Sequence, residues 1–142
     1  MAIAVEVSQI DTDAPRSTLA LLKRAVEAAL KHETVADASI SVTLLNDARI
    51  RQMNRKYLEH DYVTDVIAFP LYEPGESPVG DVYIGYEQAE RQALDADLDL
   101  TDELARLAIH GTLHVLGYDH AEDESRTQSE MWQVQEEILK EL

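Results

Sequence analysis

The sequence predicts a single domain of mixed α and β structure, with four short strands and five helices in a chain of 142 residues. Three observations carry this reading. Stretches at residues 3–10 and 38–45 alternate apolar and polar side chains with the period of a half-buried strand. Longer stretches between and after them repeat their apolar residues at helical spacing. A loop at 71–80 holds Pro74, Gly75, Pro78 and Gly80, and it separates two further β-prone runs. At this length one domain can bury roughly two-thirds of its unfolded surface, and no internal repeat or linker argues for a second.

Taken in order, Ile3, Val5 and Val7 oppose Glu6 and Ser8 in the first strand. Asp13 and Pro15 are start signals for a helix to about His32, with Leu19, Leu22, Val26, Ala29 and Leu30 on its inner face. Ile40, Val42 and Leu44 then oppose Ser39, Ser41 and Thr43 in a second strand. Asn46 or Asp47 can cap a short helix burying Ile50, Met53 and Tyr57. The run Val63 to Pro70 is almost continuously apolar and reads as an interior strand, interrupted only by Asp65. A fourth strand follows at Asp81 to Ile84, and a helix from Glu87 to about Ala96 has Ala89 and Ala93 as its small inner face. Thr101 is placed to cap a helix from Asp102 to Leu116 that is apolar nearly all round, hence buried. Residues 121–142 form a last amphipathic helix with Met131, Val134, Ile138 and Leu142 as its stripe.

The formal net charge is −16. A surface of that sign repels polyanions as a whole, so contact with nucleic acid needs a local basic patch or a metal. Arg49, Arg51, Arg55 and Lys56 are the one basic concentration, and both an ordinary solvated helix face and a phosphate-contacting surface fit them. No cysteine is present, which excludes disulfides, iron–sulfur clusters and thiolate zinc sites. Neither a secretory leader nor an apolar run of about 20 residues is found, so a cytoplasmic, membrane-free protein is expected.

Three of the five histidines fall within residues 110–120. His110 and His114 are four apart, so a helix puts both on one face with Cβ atoms roughly 5–6 Å apart. Gly117 stands where that helix must end, and its freedom at positive φ can turn the chain so that His120 returns toward the pair. The spacing H-x-x-x-H-x-x-G-x-x-H matches the ligand pattern of the metzincin motif. Three neutral imidazoles leave one coordination position open, the mark of a catalytic zinc site, although imidazole also accepts copper, nickel and iron. A zinc peptidase needs Glu directly after its first histidine, and Gly111 stands there instead. Polarising a phosphoryl oxygen remains open to such a site. Asp119 is a candidate base, or a partner that orients a ligand histidine. Asp65 is a second candidate, or a carboxylate bonded to nearby backbone.

The stretch from His110 to His120, reading H-G-T-L-H-V-L-G-Y-D-H, resembles the signature H-G-x-L-H-L-x-G-Y-D-H of the YbeY-type endoribonucleases, the bacterial rRNA maturation factors. Thr64 to Pro70 is similar to the family's T-D-V-L-S-F-P, and Met53 to Tyr57 and Gly80 to Val82 also match. The resemblance implies an α+β domain with a small mixed, mostly four-stranded sheet flanked by helices, and a zinc site on a buried helix and the turn after it. It implies one zinc ion on His110, His114 and His120, and cleavage of single-stranded RNA. Maturation of the small-subunit 16S rRNA 3′ end and ribosome quality control are implied too. Val115 stands where the signature has leucine, and Leu58 follows Tyr57 where well-studied family members carry an arginine, with Arg55 a turn earlier. The chemistry expected is attack on an RNA phosphodiester in a cleft between the histidine helix and the helix bearing Arg51, Arg55 and Lys56, with no role for DNA. The competing expectation is a ribosome-assembly binding protein whose metal is mainly structural.

Overall fold

The computed structural model describes residues 2–118 and 124–142, the side chains of 124–129 excepted. Strand β1 (Ile3–Ile10) leads through helix α1 (Arg16–His32) into β2 (Ala38–Leu45), a parallel crossover in register Val5 with Ile40. Helix α2 (Asp47–Leu58), β3 (Val66–Pro70), β4 (Val79–Gly85) and helices α3 (Tyr86–Asp95), α4 (Leu100–Val115) and α5 (Glu124–Lys140) follow. The sheet order is β1-β2-β4-β3, with β4 parallel to β2 and β3 antiparallel to β4. This is the small mixed four-stranded sheet that was expected.

Pleating sorts the sheet into two faces. Ile40, Val42 and Leu44 of β2 and Val82 and Ile84 of β4 point toward α1, α4 and α5 and form the main core. On the opposite face Leu45, Ile67 and Ile50 make a smaller cluster under α2, joined by Phe69 and Tyr83. Helix α4 lies at the centre. Ten of its sixteen residues are buried, so it is enclosed on more than one side, as its apolar sequence predicts. No described helix is long and apolar enough to cross a membrane.

Several local expectations are corrected. β3 is an edge strand and not an interior one. Its run is apolar because both faces are covered, Val66 and Ala68 toward the main core and Ile67 and Phe69 toward α2. The strand begins at Val66, so Asp65 precedes it, with its carbonyl accepting the Gly85 amide at 2.8 Å. β4 starts at Val79, two residues before the expected start. Asp99, not Thr101, holds the N-cap of α4, and no side chain bonds there. Asn46 does cap α2, its side chain accepting from the Arg49 amide at 3.0 Å. Tyr57, expected to be buried, is 56% exposed, with its ring edge-to-face against Phe69 at 5.7 Å between centroids. Among the described side chains of α5, Met131, Gln135 and Ile138 are buried, and Leu142, beyond the end of the helix, is 44% exposed.

Candidate metal centre and cleft

α4 ends as its sequence requires. Gly117 takes φ +104°, its amide donates to the His114 carbonyl at 3.0 Å, and the Tyr118 amide reaches back to the Leu113 carbonyl at 3.0 Å. These are the two bonds of a Schellman cap. They stop the helix one residue after Val115 and turn the chain away from its axis. Tyr118 is fastened by its hydroxyl, which donates to Glu33 Oε1 at 2.7 Å. Burial, with the Glu33 carboxylate beside it, pushes this phenol up to about 12.

His110 and His114 project half-buried from the last turns of α4 into a cleft of about 690 Å³. The floor is the free edge of β3, from Val66 to Pro70, and Leu58 at the end of α2 forms part of the opposite wall. Their Nε2 atoms lie 3.0 Å apart. Two nitrogens on one tetrahedral zinc at 2.0–2.1 Å would stand about 3.3 Å apart, so a shift of a few tenths of an ångström accommodates the ion. The spacing of the two described nitrogens is thus compatible with a shared zinc ion. His120 and Asp119, the expected third ligand and its neighbouring carboxylate, lie outside the described residues. Among the described residues no third histidine, aspartate or glutamate completes the group.

His110 is aimed from behind. Its Nδ1 is 2.7 Å from Oε1 of Gln135, which is 2% exposed. This contact was missed from the sequence, although a glutamine four after Met131 and three before Ile138 is a polar residue on the apolar stripe of α5. Gln135 Nε2 donates to Glu136 Oε2 at 3.2 Å, and Arg106 grips Glu136 with Nε at 2.8 Å and Nη2 at 3.0 Å. Arg106 Nη1 also donates to Glu103 at 3.0 Å. Glu103 accepts in turn from Gln92 Nε2 at 2.8 Å, and the same amide lies 3.3 Å from Asp65 Oδ2. Asp65 lines the cleft. One hydrogen-bonded chain thus joins Asp65 to His110 behind the cleft wall.

The hydrogen bonds from Arg106 hold the Glu136 carboxyl below its ordinary value of 4.5. Because the folded value is the lower one, the pair contributes stability above the ordinary carboxylate range and loses it as pH falls through the depressed value. Glu136→Gln is expected to lose less stability than the parent between about pH 7 and pH 3. Urea unfolding across that range checks it, and equal losses would contradict the pairing.

The basic residues of α2 lie elsewhere. Arg51 donates to Asp61 at 2.9 Å, and Arg51 and Arg55 line a separate depression of about 390 Å³. Lys56 Nζ sits 5.2 Å from the centre of the Tyr57 ring. Of the α2 residues only Leu58 lines the histidine cleft. Gly111, read as the place of a missing glutamate, faces the sheet: a Cβ there would stand 2.5 Å from Val82 Cγ1. A side chain at 111 points away from the cleft, so the position cannot supply it with a base.

The fold and the site together define a small α+β domain with a histidine pair facing the edge strand of a mixed sheet. A family model described as Endoribonuclease YbeY matches residues 3–142, and the chain belongs to that family. It is 36% identical to the endoribonuclease YbeY of Bacillus licheniformis, over 98% of this chain and 94% of the relative. With that of Thermus thermophilus it shares 38%, over 88% and 91% of the two chains. The solution structure of TM1509 from Thermotoga maritima is similar with a TM-score of 0.70 at 28% identity, covering 99% of this chain and 88% of that one.

Proposed function

We propose that this chain is a zinc-dependent, single-strand-specific endoribonuclease of the cytoplasm, acting on the small ribosomal subunit. Its substrate in this reading is the 3′ end of 16S rRNA, cut during maturation and quality control. Family membership supports the endoribonuclease part. The observation that supports the zinc part is the His110–His114 pair, nitrogen to nitrogen at 3.0 Å in an open cleft. His110, His114 and His120 would hold the zinc ion, which when bound would supply Lewis-acid charge stabilisation and lower the pKa of water.

The chain's own residues divide the remaining work. Gln135 keeps His110 oriented. The apolar walls at Leu58, Val66, Ala68 and Pro70 lower the local dielectric, which strengthens the attraction of a phosphate for positive charge. Asp65, which lines the cleft and lies 3.3 Å from Gln92 Nε2, would be the described candidate to take a proton. Arg51, Arg55 and Lys56 would contact the phosphate backbone beyond the cleft. Protein purified without added zinc is expected to carry roughly one metal equivalent, and chelation should abolish cleavage of a single-stranded oligoribonucleotide until zinc is returned. Less than about a tenth of an equivalent, with cleavage indifferent to the chelator, would sink this reading.

Leu58 favours a second reading. It places an apolar side chain at the cleft where the family resemblance implies an arginine, and the net charge of −16 also opposes RNA. In that reading the chain is a ribosome-assembly binding protein with a mainly structural metal. A folded ligand variant that still restores rRNA processing in a deletion strain would support it.

A further inference from the structure

Gln135 can present either its oxygen or its NH2 group to the His110 ring, and the two orientations dictate opposite imidazole tautomers. The choice is made on the far side of the amide. Gln135 Nε2 lies 3.2 Å from Glu136 Oε2, and an ionised carboxylate only accepts hydrogen bonds. The NH2 group must therefore face Glu136, which leaves the oxygen toward His110 at 2.7 Å. Nδ1 of His110 then carries the proton. Nε2 is left with its lone pair, which without a cation accepts the hydrogen bond from His114 Nε2 at 3.0 Å. Glu136 cannot turn away, because Arg106 grips both its oxygens, at 2.8 and 3.0 Å, and is itself anchored to Glu103 at 3.0 Å.

We propose that Glu136, held by Arg106, is a positioning residue whose charge orients the Gln135 amide and thereby fixes His110 in the Nδ1–H tautomer that leaves Nε2 able to bind a cation. The consequence for metal affinity rests on the zinc reading of the histidine pair. The tautomer itself does not.

Nitrogen-15 NMR of histidine-labelled, metal-free protein, at a pH where His110 is neutral, reads the tautomer directly. In the parent, His110 is expected to show a protonated Nδ1 and an unprotonated Nε2. Glu136→Gln replaces an acceptor by a group that can also donate, so Gln135 loses its fixed orientation and both tautomers should appear. Zinc affinity, measured by competition with a chelating dye, should fall about tenfold. Gln135→Leu removes the acceptor altogether and should lose the Nδ1–H preference, with a drop of about 10- to 100-fold in zinc affinity. A single Nδ1–H tautomer in folded Glu136→Gln overturns the proposal. If that variant does not fold, the same result in Gln135→Leu overturns it. Should the parent bind no zinc, the metal reading fails, while the tautomer comparison still decides this one.

Discussion

His114→Ala is expected to fold, to bind zinc at least about 100-fold more weakly than the parent and to lose RNA cleavage by a similar factor. Folding should survive because the side chain is half-buried at a cleft and not in the core, and because alanine is the strongest helix former. The hydrogen bonds that end α4 use backbone atoms, so the Gly117 cap does not depend on the imidazole. Metal loss follows from geometry. With one Nε2 of the pair gone, His110 remains held by Gln135 but has no described partner ligand for the ion. Circular dichroism, metal analysis and a single-turnover assay on single-stranded RNA separate the three effects. A folded variant that cleaves as fast as the parent would remove the metal from catalysis. It would also point to a contaminating nuclease.

Gly111→Ala is expected to destabilise the protein although it replaces glycine by alanine inside a helix. On propensity alone the change should stabilise by about 1 kcal/mol. Against this, the new Cβ would lie 2.5 Å from Val82 Cγ1 and 3.1 Å from Cγ2, with Val66 Cγ2 at 3.4 Å. Val82 is fully buried in the centre of the sheet and cannot retreat into solvent. Overpacking of this kind costs about 1–3 kcal/mol, so the net loss should reach up to about 2 kcal/mol. Gly111→Glu should fare worse, adding a carboxylate that faces the sheet, and is expected not to fold at all. Val82→Ala combined with Gly111→Ala removes the colliding atoms and should recover part of the loss, a coupling that a double-mutant cycle in urea measures. A stabilised Gly111→Ala protein would mean that α4 and β4 do not approach as closely as described.

Gly111 shows how one residue can be legible for the wrong reason. In sequence it stands where a zinc peptidase carries its glutamate, and that absence counted against a peptidase. The structure adds a second ground, since a residue at 111 faces Val82 and not the cleft. β3 teaches a related lesson. A run of apolar residues reports that both faces of a strand are covered, and it does not say whether a neighbour lies on each side. Gln135 was missed because polar residues on an apolar stripe are usually assigned to the boundary. Only the approach of α5 to α4 reveals its partner.

What the sequence by itself determined is local and periodic. The order of the nine described elements, the buried character of α4, a cap at Asn46 or Asp47 and a glycine turn at Gly117 all follow from spacing and backbone chemistry. So does the placing of His110 and His114 on one face. The tertiary structure alone decided that β3 is the sheet edge and the floor of the cleft, and that Arg51 and Arg55 face a different depression. It decided too that Gln135, Glu136 and Arg106 stand behind His110. The physical reason is that periodicity states which side of an element is apolar, whereas what that side meets depends on contacts between residues far apart in the chain.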